Sequence, residues 1–285
     1  MNYYNCHYIV FCSNEEKFID FNPQIIGRTN CFTKKVVIVN DNSTDKTEEI
    51  INDYAKKYSW ITVVNTTSDA IHLPGSKVIQ AFHKGFEILD TNYDIMVKLD
   101  ADLILPNNYF ETIISHFKSD DTIGMAGGFA YIEKNGNWIL ENLTDKDHIR
   151  GAFKAYRKEC FLQIGNLKPA MGWDTVDELL CKFYGWKVIT DENLKVKHLK
   201  PTGANYDKNA RYKQGEAFYT LGYGFIITAI ASVKLALMKK KPLLFFDYIK
   251  GFWKAKMAKT PLLVTNEQAK FIRKYRLQKM KEKLF

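Results

Sequence analysis

The sequence predicts an α/β protein: a mostly parallel sheet flanked by helices, followed by a basic, amphipathic helical extension. Three observations predict it. Short apolar runs alternate with helical stretches of about 10 to 15 residues, as in successive βαβ units. Two of those runs end in acids, at Asp41 and at Asp100 and Asp102. Positive charge collects at one end: residues 239 to 285 hold 14 Lys/Arg against 3 Asp/Glu, whereas the rest of the chain holds 27 against 29.

The elements follow in order. "HYIVFC" and "KKVVIVND" read as strands rich in β-branched residues. "STDKTEEIINDYAKKY" opens with Ser, Thr and Asp cap candidates and continues at helical spacing. "WITVVN" is a third strand, and "SKVIQAFHKGFEIL" a helix with Val78, Ala81, Phe82 and Phe86 at helical intervals. "YDIMVKLDAD" is a fourth strand, and "PNNYFETIISHFKS" a helix with Pro106 near its start. In such sheets ligands bind beyond the carboxyl ends of the strands, where these acids fall.

Composition excludes several classes. Of the 285 residues, 46% are hydrophobic and 26% charged, values of a globular chain. The net charge of +9 belongs to the tail, which argues against a nucleic-acid-binding fold. The start lacks the basic region of a signal peptide. The longest apolar stretch, "YGFIITAIASVKLALM", is broken by Lys234 and falls short of a membrane span. Five scattered cysteines without C-x-x-C spacing read as reduced thiols of a cytoplasmic protein. Neither Gly-x-Gly-x-x-Gly nor a Walker-type loop is present, which disfavours dinucleotide and P-loop enzymes.

Asp100 and Asp102, two apart on an extended segment, point the same way. Carboxylate oxygens suit Mg²⁺ or Mn²⁺ held together with substrate phosphates. The competing reading is a pair of acids capping the helix near Pro106.

"VVIVNDNSTDKTEEI", "PGSKVIQAFHKGFEIL", "VKLDADLILPNNYF", "RGAFKAYRKECFLQIG" and "GWDTVDELLCKFYGWKV" resemble, in order, five segments of the family 2 glycosyltransferases of the GT-A fold. The resemblance spans about residues 5 to 205 and implies a GT-A catalytic domain over 1–205, with a nucleotide-sugar half at 1–105 and an acceptor half at 106–205. Residues 206–285 are then a helical, basic, membrane-associating region. It implies an inverting, metal-dependent transfer of one sugar from a nucleotide-sugar donor, UDP-linked, to a hydroxyl of a glycan or lipid-linked glycan in bacterial polysaccharide or lipopolysaccharide biosynthesis.

Site roles follow from that resemblance. Asp41 matches the acid that meets the nucleotide base, while Asn40 stands where the family often has another Asp. Asp100 and Asp102 match the pair that contacts the ribose and the diphosphate-bound metal, Mn²⁺ or Mg²⁺. His198 falls where many such enzymes place a third metal ligand. Lys77, Arg150 and Trp173 are expected beside the donor. Counting back from Gly185 and Trp186, the catalytic base falls on Asp174, with Asp177 the second candidate; a neighbouring acid is expected to raise its pKa. Glu178 reads as a helix-dipole acid. His83 replaces a frequent Asn and receives no role.

The tail sets Phe245, Phe246, Tyr248, Phe252 and Trp253 among lysines, which suits an interfacial helix on an anionic membrane surface. The competing reading is a helical hairpin packed on the catalytic domain or on a partner. Absence of a Q-x-x-R-W motif and of long spanning helices favours single addition over processive synthesis. Rival functions are an inactive GT-A-like scaffold, a basic membrane-binding adaptor, and a sugar nucleotidyltransferase; the last should carry a Gly/Arg/Lys-rich signature that "IVFCSNEEKF" lacks.

Overall fold

The computed structural model describes residues 4–19, 31–68, 75–141, 146–200 and 211–282, with residues 31–34 as backbone alone. Strands β1 (Tyr4–Cys12), β2 (Cys31–Asp41), β3 (Ile61–Thr66) and β4 (Ile95–Asp100) form the first half of one sheet. Between them lie helices α1 (Thr47–Lys57) and α2 (Ser76–Glu87). All pairings in this half are parallel, in the order β3-β2-β1-β4. The chain lays β2 and β3 on one side of β1, then places β4 on the other. The strand order therefore reverses between β1 and β4, the kind of switch point beyond whose carboxyl ends ligands bind in such sheets.

The second half is mixed. It comprises β5 (Leu103–Ile104), helix α3 (Tyr109–Ser119), β6 (Ile123–Lys134), β7 (Asn137–Leu140), β8 (Phe153–Arg157), helices α4 (Lys158–Gln163) and α5 (Trp173–Phe183), and β9 (Lys187–His198). Here β8 runs antiparallel to both β4 and β6, β9 parallel to β6, and β5 antiparallel to β9. Parallel pairing thus dominates the N-terminal half only.

The strands bury near-continuous apolar runs because helices cover the sheet. Val36 to Val39 of β2 and Ile95 to Val97 of β4 are all buried. Helix α2 approaches closely through Gly85: a Cβ there would stand 2.9 Å from both Ile9 Cγ2 and Val39 Cγ2. Phe82 and Phe86 of α2 meet Phe161 of α4 edge to face, closing the core on this side.

The C-terminal helices are α6 (Lys213–Thr220), α7 (Gly224–Met238), α8 (Leu244–Met257) and α9 (Asn266–Glu282). Phe218, Leu221, Ile227, Val264 and Ile272 join the same hydrophobic core as the sheet. Helices α6 and α8 cross at glycines, where a Cβ on Gly215 would stand 1.8 Å from the Tyr248 carbonyl oxygen. Helix α9 lies on α5 through the Phe183–Phe271 ring pair, 5.4 Å between centroids. The tail is thus a helical unit packed on the sheet body, and the boundary expected at 205/206 lies outside the described residues. The expectation of reduced cysteines fails at Cys6, which is disulfide-bonded, while Cys12, Cys160 and Cys181 are free and buried.

A Gly85→Leu change should overpack the α2–sheet contact and lower stability by roughly 1–3 kcal/mol, read as a lower urea midpoint. An unchanged midpoint would contradict the close approach.

Candidate active site

The carboxyl end of β4 delivers the first acids. Lys98 and Asp100, two apart on the strand, share a face, and the buried ammonium pairs directly with the carboxylate. Dehydration pushes the Asp100 carboxyl up, partly against the pull of Lys98. Asp102 follows the strand and is buried. The short β5 sets Leu103 opposite His198 on β9. That register carries His198 Nε2 to 3.4 Å from Asp102 Oδ2. Burial alone would lower the His198 pKa, but Asp102 and then Asp100 outweigh it and raise it.

Glu15, in the turn after β1, joins this end. Its carboxylate meets Lys200 Nζ at 2.7 Å. Burial pushes the carboxyl up to about 7; Lys200 opposes the shift and Asp102 and Asp100 add to it. Glu15 Oε2 and His198 Nδ1 are buried without a hydrogen-bond partner.

Among the described residues, no three His, Cys, Asp or Glu side chains converge as a metal site. Asp102 and His198 are brought together, whereas Asp100 is turned to Lys98. One carboxylate and one imidazole fit a hard divalent cation whose other positions are filled by phosphate oxygens and water. The oxygen of Glu15 that Lys200 does not meet is a further oxygen donor at the same end.

Asp41 ends β2 and is buried. Its two carboxylate oxygens accept bonds from Ser68 N (2.9 Å) and Ser68 Oγ (2.8 Å), which anchor the chain beyond β3. Asn40 bonds sideways to Asn65. Lys77 lies in the first turn of α2, two residues after Gly75. A Cβ on Gly75 would stand 2.8 Å from the Ala170 carbonyl oxygen and 3.1 Å from Trp173 Cδ1. The start of α2 thus abuts the start of α5.

Helix α5 brings the second set of acids. Trp173, 6% exposed, is not an open stacking face. Two buried ammonium groups lie near its ring, Lys98 Nζ at 5.3 Å and Lys154 Nζ at 5.7 Å from the ring centroid. Lys98 and Lys154 stand directly opposite each other across β4 and β8. Lys154 Nζ donates to Asp177 Oδ1 (3.0 Å), Glu178 Oε1 (3.1 Å) and the Asp174 carbonyl (2.5 Å). Burial disfavours that ammonium, but Asp177, Glu178 and Asp174 overcompensate and raise its pKa. Asp177 also accepts the Tyr156 hydroxyl at 2.7 Å. The Asp177 side chain is 2% exposed and fully partnered; that of Asp174 is 30% exposed.

His148 links the two remaining acids of α5. Its Nε2 lies 3.6 Å from Asp174 Oδ2, and its Nδ1 3.1 Å from the Glu178 carboxylate. Burial would lower its pKa; Glu178 and Asp174 instead raise it to about 9. In return, burial of Asp174 is outweighed by His148, Lys154 and Arg150, and its carboxyl falls to about 2. The expected upward shift from a neighbouring acid therefore fails at Asp174. It occurs at Asp177, which burial and Glu178 push up to about 6 against Lys154. Glu178 is more than a dipole acid, because it also accepts the Ile149 N–H at 2.9 Å.

Arg150 ion-pairs with buried Glu141 at 3.0 Å. Behind it, residues 151 and 152 join the two halves of the site. The Ala152 carbonyl accepts the Asp100 N–H at 2.8 Å. A Cβ on Gly151 would stand 2.5 Å from the Trp173 ring and 3.2 Å from Asp174 Cβ. The D-x-D end of β4 and the start of α5 are thereby held side by side. Sequence reasoning missed Lys98, Lys154, His148 and Glu15. The lysines had a signal, a charge inside the apolar runs "IMVKLD" and "FKAYR".

Residues 8–168, more than half the chain, match the model of Glycosyl transferase family 2. The chain belongs to that family. A dolichyl-phosphate beta-glucosyltransferase, ALG5A of Trichomonas vaginalis, is 34% identical over 122 residues, covering 39% of this chain and 34% of the relative. The probable glycosyltransferase YdaM of Bacillus subtilis is 34% identical over 68 residues, 24% of this chain and 15% of the relative. The chain thus matches only about a third or less of the length of these relatives. The mannosyltransferase PcManGT from Pyrobaculum calidifontis, solved with GDP-Man and Mn²⁺, superposes with a TM-score of 0.59 at 14% identity, over 98% of this chain and 81% of its own. S. aureus TarS 1-349, solved with UDP-GlcNAc, gives 0.55 at 16%, over 80% and 66%. These likenesses establish the GT-A fold.

Two measurements test the cluster. Lys154→Met should leave Asp177 and Glu178 without their cation and destabilise by about 3–5 kcal/mol; a loss under about 1 kcal/mol would show the ammonium is dispensable. His148 is raised on folding, so its contribution is complete below about pH 6.5 and lost as pH climbs through about 9, at most roughly 3 kcal/mol. His148→Gln should flatten Tm over that window, and an unchanged Tm–pH slope would count against the pairing.

Proposed function

We propose that this family member transfers a single sugar from a nucleotide-sugar donor, UDP-linked, to a hydroxyl of a glycan or lipid-linked glycan, with inversion at the sugar carbon. The observation that carries the reading is the junction just described, in which Asp100 and Asp102 meet the start of α5 across Lys98, Trp173 and Lys154. A leaving-group end and a proton-accepting end then face one reacting carbon. The relatives solved with GDP-Man or UDP-GlcNAc support a nucleotide-sugar donor.

Each chain group has a part. Asp102 and His198 would hold Mn²⁺ or Mg²⁺. The ion, when bound, neutralises charge on the departing diphosphate. Asp41 and Ser68 wall the nucleotide end, and Lys77 in the first turn of α2 supports a phosphate contact. Glu141 holds Arg150 in place beside Asp174. The bond from the sugar carbon to the diphosphate breaks as the acceptor oxygen attacks from the opposite face, and the acceptor proton passes to Asp174. The greater exposure of Asp174 supports it over Asp177 as the base, because a base must first reach the proton it takes. Asp177, locked by Lys154 and Tyr156, keeps the helix start in place.

The acceptor belongs to bacterial surface-polysaccharide or lipopolysaccharide assembly, and the enzyme works peripherally on the inner face of the cytoplasmic membrane. Among the described residues no helix is long and apolar enough to cross a membrane.

Donor hydrolysis across a panel of sugar nucleotides, with and without Mn²⁺, tests the reading. Turnover should require the ion, favour a UDP-sugar, and fall by about 10²–10⁴ in kcat for Asp174→Asn. Asp102→Asn should raise the Mn²⁺ concentration needed for half-maximal rate. An enzyme indifferent to both substitutions, or without turnover on any donor, would sink the proposal in favour of a scaffold.

A further inference from the structure

Helix α7 is apolar on both sides. Ile227, Thr228, Ser232 and Ala236 face the protein. On the opposite side Ile226, Ile230, Val233 and Leu237, at spacings of four, three and four, face outward, with Ile226 66% and Leu237 70% exposed. A surface helix ordinarily turns charged or polar residues to solvent. Helix α8 repeats the pattern: Phe246, Trp253 and Met257, with Leu243 just before the helix, are exposed along one side, Phe246 at 66%. The Phe225 and Trp253 rings, 5.8 Å between centroids, join the two outward faces into one. A continuous apolar surface of this kind on a soluble body marks an interaction site.

The charge around it says what covers it. From Lys234 to Lys259 the chain carries eight lysines and one acid, Asp247. That acid is buried and paired with Arg211, so no exposed acid offsets the lysines. Lys240 and Lys241 stand exposed in the turn between the helices, and Lys250 and Lys254 line α8 beside its apolar side. Lys256 Nζ lies 4.6 Å from the Trp253 ring centroid, an aromatic–cation pair at the edge of the apolar face. Large apolar and aromatic side chains ringed by lysines match a bilayer interface with anionic headgroups. At 15 residues α7 is about 22 Å long, too short to span the roughly 30 Å hydrocarbon layer, so it lies in the interface plane.

The surface is joined to the acceptor end of the candidate site. Helix α7 begins directly after Tyr223, and a Cβ on Gly172, which precedes α5, would stand 3.2 Å from Leu221 Cδ1. The corner between α6 and α7 thus packs on the start of the helix that bears Asp174.

We propose that the outward faces of α7 and α8 form a docking surface for an anionic lipid bilayer, seating the start of α5 near the headgroup plane. The proposal concerns binding and does not rest on the transferase reading, so it is scored without turnover.

Co-sedimentation of the full chain with phosphatidylcholine vesicles, with and without about a quarter phosphatidylglycerol, tests it. Binding should be stronger to the anionic vesicles and weaken with salt. The triple change Ile226→Ser, Leu237→Ser, Phe246→Ser removes exposed side chains only; it should keep the far-UV spectrum and lose at least about tenfold in partition. Lys240→Glu with Lys241→Glu should lose about tenfold on anionic vesicles and little on neutral ones. Brominated lipid should quench a fluorescence component that disappears in Trp253→Phe, a check independent of the triple variant. Equal partition of the triple variant and parent, or quenching unchanged in Trp253→Phe, would overturn the proposal. So would a parent that ignores vesicles and sediments as a dimer that the triple change dissociates.

Discussion

Two buried ammonium groups, Lys98 and Lys154, stand opposite each other across β4 and β8, 5.3 and 5.7 Å from the Trp173 ring centroid. Like charges at opposed positions repel, and each alone would be costly to bury. The arrangement holds because each lysine is answered from a different segment, Lys98 by Asp100 and Lys154 by Asp177 and Glu178. Pairing of β4 with β8, docking of α5, and the seat of Trp173 are therefore one constraint. Gly151 completes it, because any side chain there would meet the Trp173 ring. Acids more than 70 residues apart in sequence become two walls of one site.

Much of this was legible beforehand and some was not, for identifiable reasons. The parallel half of the sheet announces itself in apolar runs separated by helices, and Asp41, Asp100 and Asp102 are conspicuous at the ends of such runs. Asp174 was reachable only by resemblance to a family motif. The mixed half was less legible, since a run such as "FKAYR" does not state the direction of its neighbour. The opposition of Lys98 and Lys154, and the acids of α5 that answer Lys154, depend on that direction and could not be read. His148 was invisible for a related reason: it lies in a loop 26 residues before Asp174, and its acid pair forms only when α5 docks. The expected rise at Asp174 failed because His148, with Lys154 and Arg150, outweighs its burial. In the tail, the packed side of α7 was legible as a hairpin face, and its outward apolar side is the observation on which the membrane proposal rests.

The two aspartates of α5 show how environment divides labour between identical side chains. Asp177, sealed among Lys154, Tyr156 and Glu178, sits near 6 yet has no opening. Asp174 has the opening but is held near 2 by His148, Lys154 and Arg150. A carboxylate that acidic is a weak base, unless gaining a proton costs less than the resting value implies. The shared imidazolium bears on what is left behind when that happens. His148 is paired to Glu178 as well as to Asp174, so neutralising Asp174 leaves the ring's charge compensated at 3.1 Å rather than stranded. A diphosphate arriving at the neighbouring end adds negative charge, which favours the protonated form of nearby acids. On the proposed reading, Asp174 rests as the acid half of an ion pair with His148, and added diphosphate charge at the neighbouring end is what would favour its protonation.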